Sequence, residues 1–139
     1  MQLLYNLEKR KVKRLKKSIV LYDAACPLCL KTKKWVSLLD RENRLLWLSL
    51  QKLTEYTSLP AEKEGQIREQ LHLYDPSRNE HVGYDAITYI CKESPLLRFA
   101  GKLMEFRTAR AVGVPVYRFI ANNRYRVGIH DCKDGSCSI

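Results

Sequence analysis

A short apolar run that leads directly into a pair of cysteines constrains the fold of this chain more than any other feature. Residues 19–22 (Ile-Val-Leu-Tyr) have the length and composition of a buried β-strand, and Asp23 ends the run. The segment Cys26-Pro27-Leu28-Cys29 follows, with proline placed where a helix tolerates it best, in the first turn. The sequence therefore predicts a strand, a turn and a helix that begins at the two cysteines.

The residues that follow complete a strand–helix–strand unit. Apolar side chains recur at helical intervals over residues 28–39, and the helix is predicted to end within residues 40–43. Residues 45–50 form a second apolar run of strand length, so the order is that of a β-α-β unit with parallel strands and a right-handed connection. Trp35 and Trp47 are expected to lie in the core of this unit, although an aromatic side chain near a C-x-x-C pair can also line a substrate groove.

The second half of the chain predicts a hairpin between helices. A polar helix is predicted over residues 60–70, followed by strands at residues 71–74 and 81–84 that flank a turn-rich segment. Asp85 is expected to cap a helix over residues 86–91. Together these elements resemble the thioredoxin fold, an α/β fold with a central mixed sheet built from a β-α-β unit followed by a β-hairpin and a helix.

The two ends of the chain are expected to add elements to this fold. After Pro95, helical spacing predicts extra C-terminal helices over residues 96–106 and 114–126, and a basic N-terminal helix is predicted over residues 2–16. We therefore divide the chain into a basic extension, a thioredoxin-like domain with its C-terminal helices, and a cysteine-containing tail. These are residues 1–17, 18–130 and 131–139, respectively.

The length of 139 residues is that of one domain, which can bury a core without disulfides. No apolar run approaches the roughly 20 residues of a membrane span, and at the N-terminus the charges follow the apolar residues, which is the wrong order for a signal peptide. We therefore expect a cytoplasmic protein. Cysteines in that compartment are usually reduced, so a C-x-x-C pair there indicates redox or metal chemistry.

The net charge of +10 is concentrated in two segments. Residues 1–20 and residues 98–126 each hold seven basic side chains against one acidic side chain. Such clusters either form solvated helix faces or contact an anionic partner, and one candidate contact is peripheral, with an anionic membrane. No nucleic-acid-binding motif accompanies them, so no specific nucleic acid partner is expected.

Two thiols with C-x-x-C spacing at the start of a helix can form a reversible disulfide, because the helix dipole and the free N–H groups favour a thiolate. Cys26 is predicted to be the nucleophile because it lies at the helix edge, more exposed than Cys29, which would resolve the mixed disulfide. Asp23 either caps the helix or relays a proton from Cys29, and its charge would oppose thiolate formation. The predicted function is thiol–disulfide exchange without a cofactor, with a disulfide-bearing protein or a small thiol as partner.

Three separate blocks of sequence resemble one family. Residues 22–29, with the pattern Tyr-Asp-x-x-Cys-Pro-Leu-Cys, are similar to the signature of the DCC family, predicted thiol–disulfide oxidoreductases named for an Asp-Cys-Cys motif. The likeness continues through residues 40–41, resumes at residues 83–86, and includes residues 116–126. The resemblance spans most of the chain, residues 18–130, and implies a thioredoxin-like core and an oxidoreductase role.

One departure from thioredoxins concerns substrate docking. Thioredoxins place a cis-proline just before the third strand, beside the two cysteines, whereas residues 69–70 precede the predicted third strand here and contain no proline. Pro115 lies in a segment that resembles a cis-proline segment, which would make residues 116–129 a hairpin. We predict instead that Pro115 begins the last helix, because too few residues remain after such a hairpin for a closing helix.

A second hypothesis assigns the cysteines a structural role. Cys132 and Cys137 in the tail could join Cys26 and Cys29 in a tetrahedral zinc site, which would make the chain a zinc-binding or basic interaction module without catalysis. The tail thiols could otherwise pass electrons to the Cys26–Cys29 pair or stay unpaired. Cys91, within a predicted apolar helix, is expected to be a core residue.

Overall fold

The computed structural model describes residues 17–127, so the helix predicted over residues 2–16 and the tail of residues 131–139 lie outside the described residues. The strands are β1 (Ser18–Tyr22), β2 (Leu45–Ser49), β3 (His72–Tyr74) and β4 (Glu80–Val82). The helices are α1 (Pro27–Leu39), α2 (Leu50–Tyr56), α3 (Ala61–Glu69), α4 (Tyr84–Glu93), α5 (Arg98–Met104), α6 (Arg107–Asn122) and α7 (Arg124–Val127). None of these helices is both long and apolar enough to cross a membrane.

The four strands form a mixed sheet in the order β2-β1-β3-β4. β1 is parallel to β2, with Ser18 opposite Leu45 and Tyr22 opposite Ser49, whereas β3 is antiparallel to both β1 and β4. A β-α-β unit followed by an antiparallel hairpin and a helix is the arrangement predicted from the sequence. The mixed α/β fold of thioredoxin type is therefore confirmed.

Helices cover both faces of the sheet, because its central strand β1 is apolar on both sides. One buried cluster joins the sheet to α1 and α4, and another joins it to α2 and α3. The first contains Val20, Leu73, Ala86 and Ile90 with Val36 packed against them, and the second contains Leu21, Leu50, Leu53 and Ile67. Val20 and Leu21 are adjacent and face opposite sides of the sheet, so both faces of β1 are packed just before Asp23.

The second strand is one residue shorter than predicted and leads directly into a helix, α2, that the sequence analysis did not predict. Ser49 ends β2, and its Oγ accepts a hydrogen bond from the Lys52 N–H at 3.3 Å, which caps α2. Leu50 is therefore a fully buried helix residue rather than a strand residue. Together with Leu53 it presents an apolar helix face to the sheet.

The prediction that Trp35 is a core residue was wrong. Trp35 is 67% exposed, and α1 has no fully buried side chain. Val36 is the α1 residue that packs against the core, and neighbouring helix positions point about 100° apart, so Trp35 faces away from the sheet. Trp47 is partly buried against the core cluster, with its ring edge-to-face on Tyr22.

The prediction that Asp85 caps α4 was also wrong. The helix begins one residue earlier, at Tyr84, and its N-cap is Gly83, whose φ of 60° favours glycine. An added Cβ at Gly83 would also lie 3.0 Å from the Tyr117 ring of α6. Asp85 instead forms an ion pair with Arg110 of α6. The segment that begins α4 therefore serves to join it to the C-terminal helices.

Pro115 does not begin the last helix, as was predicted, and the alternative hairpin after it does not form either. The residue lies inside α6, which starts at Arg107. A proline within a helix removes one backbone hydrogen bond, so the sequence favoured a helix start there. Tertiary packing holds the helix instead: an added Cβ at Gly113 would lie 2.2 Å from the Tyr84 ring, so this turn of α6 packs closely on α4.

Candidate active site

The two cysteines of the C-x-x-C pair lie at the junction between β1 and α1. Cys26 is the N-cap of α1, and Pro27 occupies a position in its first turn, as predicted. The Cys26 Sγ accepts a hydrogen bond from the Cys29 N–H at 3.4 Å, and the Cys26 N–H donates to the Asp23 carbonyl oxygen at 3.2 Å. The sulfur therefore lies at the N-terminal end of the helix, where a negative charge is stabilised.

The structure reverses the predicted exposure of the two thiols. Cys26 has no exposed surface, whereas Cys29 is partly exposed. The prediction placed Cys26 at the outer edge of the helix, but an N-cap side chain folds back over the first turn to reach its N–H groups. Both thiols are free in the structure.

The two thiols differ in their affinity for a proton. A hydrogen bond from the Cys29 thiol, assisted by the Cys29 backbone N–H and the charge of Arg124, lowers the pKa of Cys26 to about 6 despite its burial. The same thiol–thiol hydrogen bond, together with burial, raises the pKa of Cys29 far above its ordinary value. Near neutral pH the pair therefore holds one proton, with the thiolate at Cys26 and the thiol at Cys29.

Asp23 does not cap α1, because Cys26 occupies the cap position. Its carboxylate is 1% exposed, and Oδ1 accepts hydrogen bonds from the Ala25 N–H at 2.9 Å and from Gln51 Nε2 at 2.7 Å. Oδ2 accepts a hydrogen bond from the Tyr125 hydroxyl at 3.1 Å. Burial acts to raise the pKa of Asp23, but these hydrogen bonds outweigh it and keep the pKa below its ordinary value. Asp23 is therefore a buried carboxylate that ties the turn before Cys26 to α2 and α7.

Leu71 lies just before β3, where thioredoxins carry their cis-proline. Its N–H donates a hydrogen bond to the Tyr117 hydroxyl of α6 at 3.0 Å, and its carbonyl oxygen accepts one from the Gly83 N–H at 2.8 Å. Both backbone groups of Leu71 therefore have partners within the domain. The C-terminal helices therefore contact the backbone just before β3 through Tyr117.

The end of the C-terminal helices brings two further side chains to the site. Arg124 is 9% exposed, and its guanidinium stacks on the Tyr125 ring at 4.9 Å, with Nη2 donating to the Tyr125 hydroxyl at 3.4 Å. No pattern in the sequence predicted a role in the site for Arg124, Tyr125 or Tyr117. The one available signal was the likeness of residues 116–126 to a family block. That likeness indicates a segment shared with the family but no chemical role for the individual residues in it.

The proposed zinc ligands are only partly described. Cys132 and Cys137 lie outside residues 17–127, and within those residues no group of three or more His, Cys, Asp and Glu side chains could hold a metal ion. Cys91 is partly buried in α4, and burial raises its pKa. A thiol with a raised pKa forms little thiolate at neutral pH. Cys91 was expected to be a core residue, but it is only partly buried and belongs to neither buried cluster.

Tyr125→Phe tests whether α7 is anchored through Asp23. We expect the variant to lose about 1–2 kcal/mol of the free energy of unfolding, because one oxygen of a buried carboxylate loses its hydroxyl donor. Tyr56→Phe is the matched control, since Tyr56 is 79% exposed. Loss of the Tyr56 hydroxyl should change the free energy of unfolding by less than about 0.5 kcal/mol. Urea unfolding of the reduced proteins measures both effects, and equal stability of the two variants would contradict the anchoring.

Comparison with known proteins agrees with this geometry. A family model described as DCC1-like thiol-disulfide oxidoreductase matches residues 20–129, which include the cysteine pair, Asp23 and the whole C-terminal segment that reaches the site. Comparison with curated proteins and with solved structures gave no significant match. Because the model covers well over half of the sequence, this chain belongs to the DCC1-like thiol-disulfide oxidoreductase family.

Proposed function

We propose that the chain exchanges a dithiol for a disulfide through Cys26 and Cys29. The observation that carries this proposal is the difference in pKa between the two thiols. The pKa of Cys26 lies at about 6, so it is mainly thiolate at neutral pH, whereas the raised pKa of Cys29 keeps a proton available beside it. A thiolate is the attacking form in disulfide exchange, so Cys26 is the proposed nucleophile.

The proposed reaction has two steps. The Cys26 thiolate attacks one sulfur of a substrate disulfide, a mixed disulfide forms, and the other substrate sulfur leaves as a thiolate. Cys29 then loses its proton and attacks the Cys26 sulfur, which releases the second substrate sulfur and leaves a Cys26–Cys29 disulfide. Two electrons have passed from the dithiol to the substrate, and the proton of Cys29 has passed to solvent or to a released thiolate.

Asp23 is proposed to position the cysteine turn rather than to carry the proton. Both of its oxygens already accept hydrogen bonds, and its lowered pKa makes it a weak proton acceptor. Its negative charge does contribute to the raised pKa of Cys29, after the larger effects of the Cys26 hydrogen bond and of burial. The carboxylate therefore helps to keep the proton on Cys29 until the mixed disulfide forms.

The burial of Cys26 bears on the partner. Because Cys26 has no exposed surface, a substrate sulfur reaches it only after a neighbouring group moves aside. The partners proposed from the chemistry are a disulfide-bearing protein or a small thiol. The alternative function, a structural zinc or interaction module that uses the same cysteines, differs in metal content and in the reactivity of the thiols.

A redox titration of the full chain tests the proposal. We expect equilibration with defined glutathione or dithiothreitol ratios to give one reversible two-electron transition at a potential between roughly −120 and −270 mV. Mass spectrometry of the trapped samples should assign the bond to Cys26 and Cys29. Zinc is measured on the same samples.

Three variants serve as controls for this titration. Cys26→Ser should abolish the transition, whereas Cys91→Ser should leave it unchanged because Cys91 lies in α4, outside the C-x-x-C pair. A variant with serine at both Cys132 and Cys137 separates any contribution of the tail. Stoichiometric zinc, or a pair that never forms a disulfide, would overturn the oxidoreductase proposal in favour of a structural role.

A further inference from the structure

Arg124 is a buried cation that has no acidic partner within residues 17–127. The guanidinium of this 9% exposed residue contacts Tyr125 through stacking and a hydrogen bond. Other arginines of the domain form ion pairs with carboxylates: Arg110 with Asp85, and Arg68 with Glu64. A buried charge costs free energy unless an opposite charge is close, so an anion near Arg124 would stabilise the guanidinium.

The helix that carries Arg124, α7, packs against α1, the helix that begins at the cysteine pair. The charge of Arg124 acts on the pKa values of Cys26 at the N-cap of α1, Cys29 of α1, Tyr117 of α6 and Tyr125 of α7. Burial raises the pKa of both tyrosines, and the Cys26 hydrogen bond raises the pKa of Cys29, so these three groups are neutral near pH 7. Cys26, with its lowered pKa, is the member of this group that carries a negative charge.

Asp23 is also anionic, but it is already compensated. Its two oxygens accept hydrogen bonds from Ala25, Gln51 and Tyr125. Its neighbouring cation is Arg68 of α3, whose guanidinium lies 4.0 Å from Oδ2. Asp23 therefore contacts α7 through the hydroxyl of Tyr125, which leaves the guanidinium of Arg124 for a different anion.

We propose that Arg124 is the counter-cation of the Cys26 thiolate, supplied to the dithiol by α7. The inference rests on the proposed dithiol chemistry and makes Arg124 a positioning residue for it. Stacking on Tyr125 fixes the plane of the guanidinium, and the bond from Tyr125 to Asp23 fixes Tyr125 against the turn that carries Cys26. Residues far apart in the sequence thereby form one electrostatic unit.

This arrangement links the redox state to the C-terminal helices. When Cys26 becomes part of a disulfide its negative charge is lost, and Arg124 then remains buried without a counter-ion. The cation therefore stabilises the reduced form relative to the disulfide, which makes the pair more oxidising. Removing the charge should shift the midpoint potential of the Cys26–Cys29 pair to more negative values.

Thiolate absorbance at 240 nm, followed against pH, tests the proposal. The difference between each full-length protein and its Cys26→Ser counterpart assigns the titration to Cys26. The wild type should titrate at about pH 6, and Arg124→Met, which keeps the apolar stem without the charge, should titrate about 1 pH unit higher, because the hydrogen bond from Cys29 remains. Arg126→Met is the matched control, since Arg126 is an exposed neighbour and should leave the midpoint unchanged.

Arg124→Lys separates charge from packing. Lysine keeps the positive charge but cannot reproduce the planar stacking on Tyr125, so its midpoint should lie between those of the wild type and Arg124→Met. Circular dichroism and urea unfolding verify that each variant is folded. If Arg124→Met does not fold, Arg124→Lys still tests the proposal. This variant keeps the positive charge, so a Cys26 midpoint at the free-cysteine value of about 8.5 would contradict a role of the charge.

The outcomes distinguish this inference from the proposed function. A low wild-type midpoint that Arg124→Met leaves unchanged overturns the counter-cation role, even if the redox transition is present. A midpoint that depends on Arg124 in a protein without a redox transition supports the counter-cation role and overturns the oxidoreductase proposal. A wild-type midpoint near 8.5 overturns the counter-cation role, because no stabilised thiolate would then need an explanation.

Discussion

Cys29→Ser is expected to arrest the reaction at a stable mixed disulfide, whereas Cys26→Ser is expected to slow the attack on the substrate disulfide. The Cys26 thiolate still attacks a substrate disulfide in Cys29→Ser, but no second thiol is placed to resolve the adduct. In Cys26→Ser, Cys29 loses the hydrogen bond that is the largest cause of its raised pKa, but burial still raises that pKa. Even an ordinary thiol is only a few per cent thiolate at pH 7, so exchange should slow by about 30-fold or more.

Two measurements check this pair of variants. Intact-mass spectrometry after incubation with oxidised glutathione should show one glutathione adduct on Cys29→Ser and none that persists on the wild type. Stopped-flow reaction with an aromatic disulfide at pH 7 gives the exchange rates. Cys91→Ser should match the wild type in both assays. An adduct on Cys26→Ser but not on Cys29→Ser would reverse the assigned roles of the two cysteines.

Gly101→Ala is expected to destabilise the domain, although it replaces glycine by alanine inside a helix. Gly101 is a buried residue of α5, and an ideal Cβ there would lie 2.6 Å from the backbone nitrogen of Lys92 in α4. A backbone atom cannot rotate away, so α4 and α5 must separate. We expect a loss of about 1–3 kcal/mol in the free energy of unfolding, although alanine is the better helix former by about 1 kcal/mol.

Gly65→Ala is the matched control because it makes the same change inside a helix with open space around it. No atom lies within 4 Å of an ideal Cβ at Gly65 of α3, so only the helix preference remains. We expect this variant to gain up to about 1 kcal/mol. Urea unfolding of the reduced proteins compares the two. A loss of stability in Gly65→Ala, or an unchanged Gly101→Ala, would contradict the close packing of α4 on α5.

Gly101→Ala also tests how the site depends on the C-terminal helices. α5 precedes α6, which carries Tyr117, and α7, which carries Arg124. If the separation of α4 and α5 is transmitted along these helices, the Cys26 midpoint should rise in Gly101→Ala and stay unchanged in Gly65→Ala. The 240 nm titration of the two variants measures this coupling directly.

The elements with strong local patterns were predictable from the sequence. The apolar run of β1, the proline in the first turn of α1 and the helical spacing after it depend on neighbouring residues, and the structure has all three. The hairpin was also predicted, because Asp75 and Asn79 lie in a turn-rich segment where Asp75 Oδ1 accepts a hydrogen bond from the Asn79 N–H. Such patterns depend on residues that lie within a few positions of the element they predict.

Predictions that depended on distant partners were the ones that failed. Pro115 is a local helix breaker, yet α6 continues through it because Gly113 packs against Tyr84. Asp85 has the composition of a helix cap but pairs with Arg110, and Trp35 is apolar but faces outward. In each case a contact between residues far apart in the sequence, or the lack of core space on one helix face, outweighed the local preference.

The sequence by itself determined the order of strands and helices, the position of the two thiols at the start of α1 and, through its three blocks, the family. Only the tertiary structure decided which groups surround those thiols. The burial of Cys26, the hydrogen bonds that hold Asp23, and the placement of Arg124 beside the dithiol all join segments separated by about a hundred residues or by a turn of the chain. Charge and burial act through space, so their effect on a thiol becomes visible once the chain is folded.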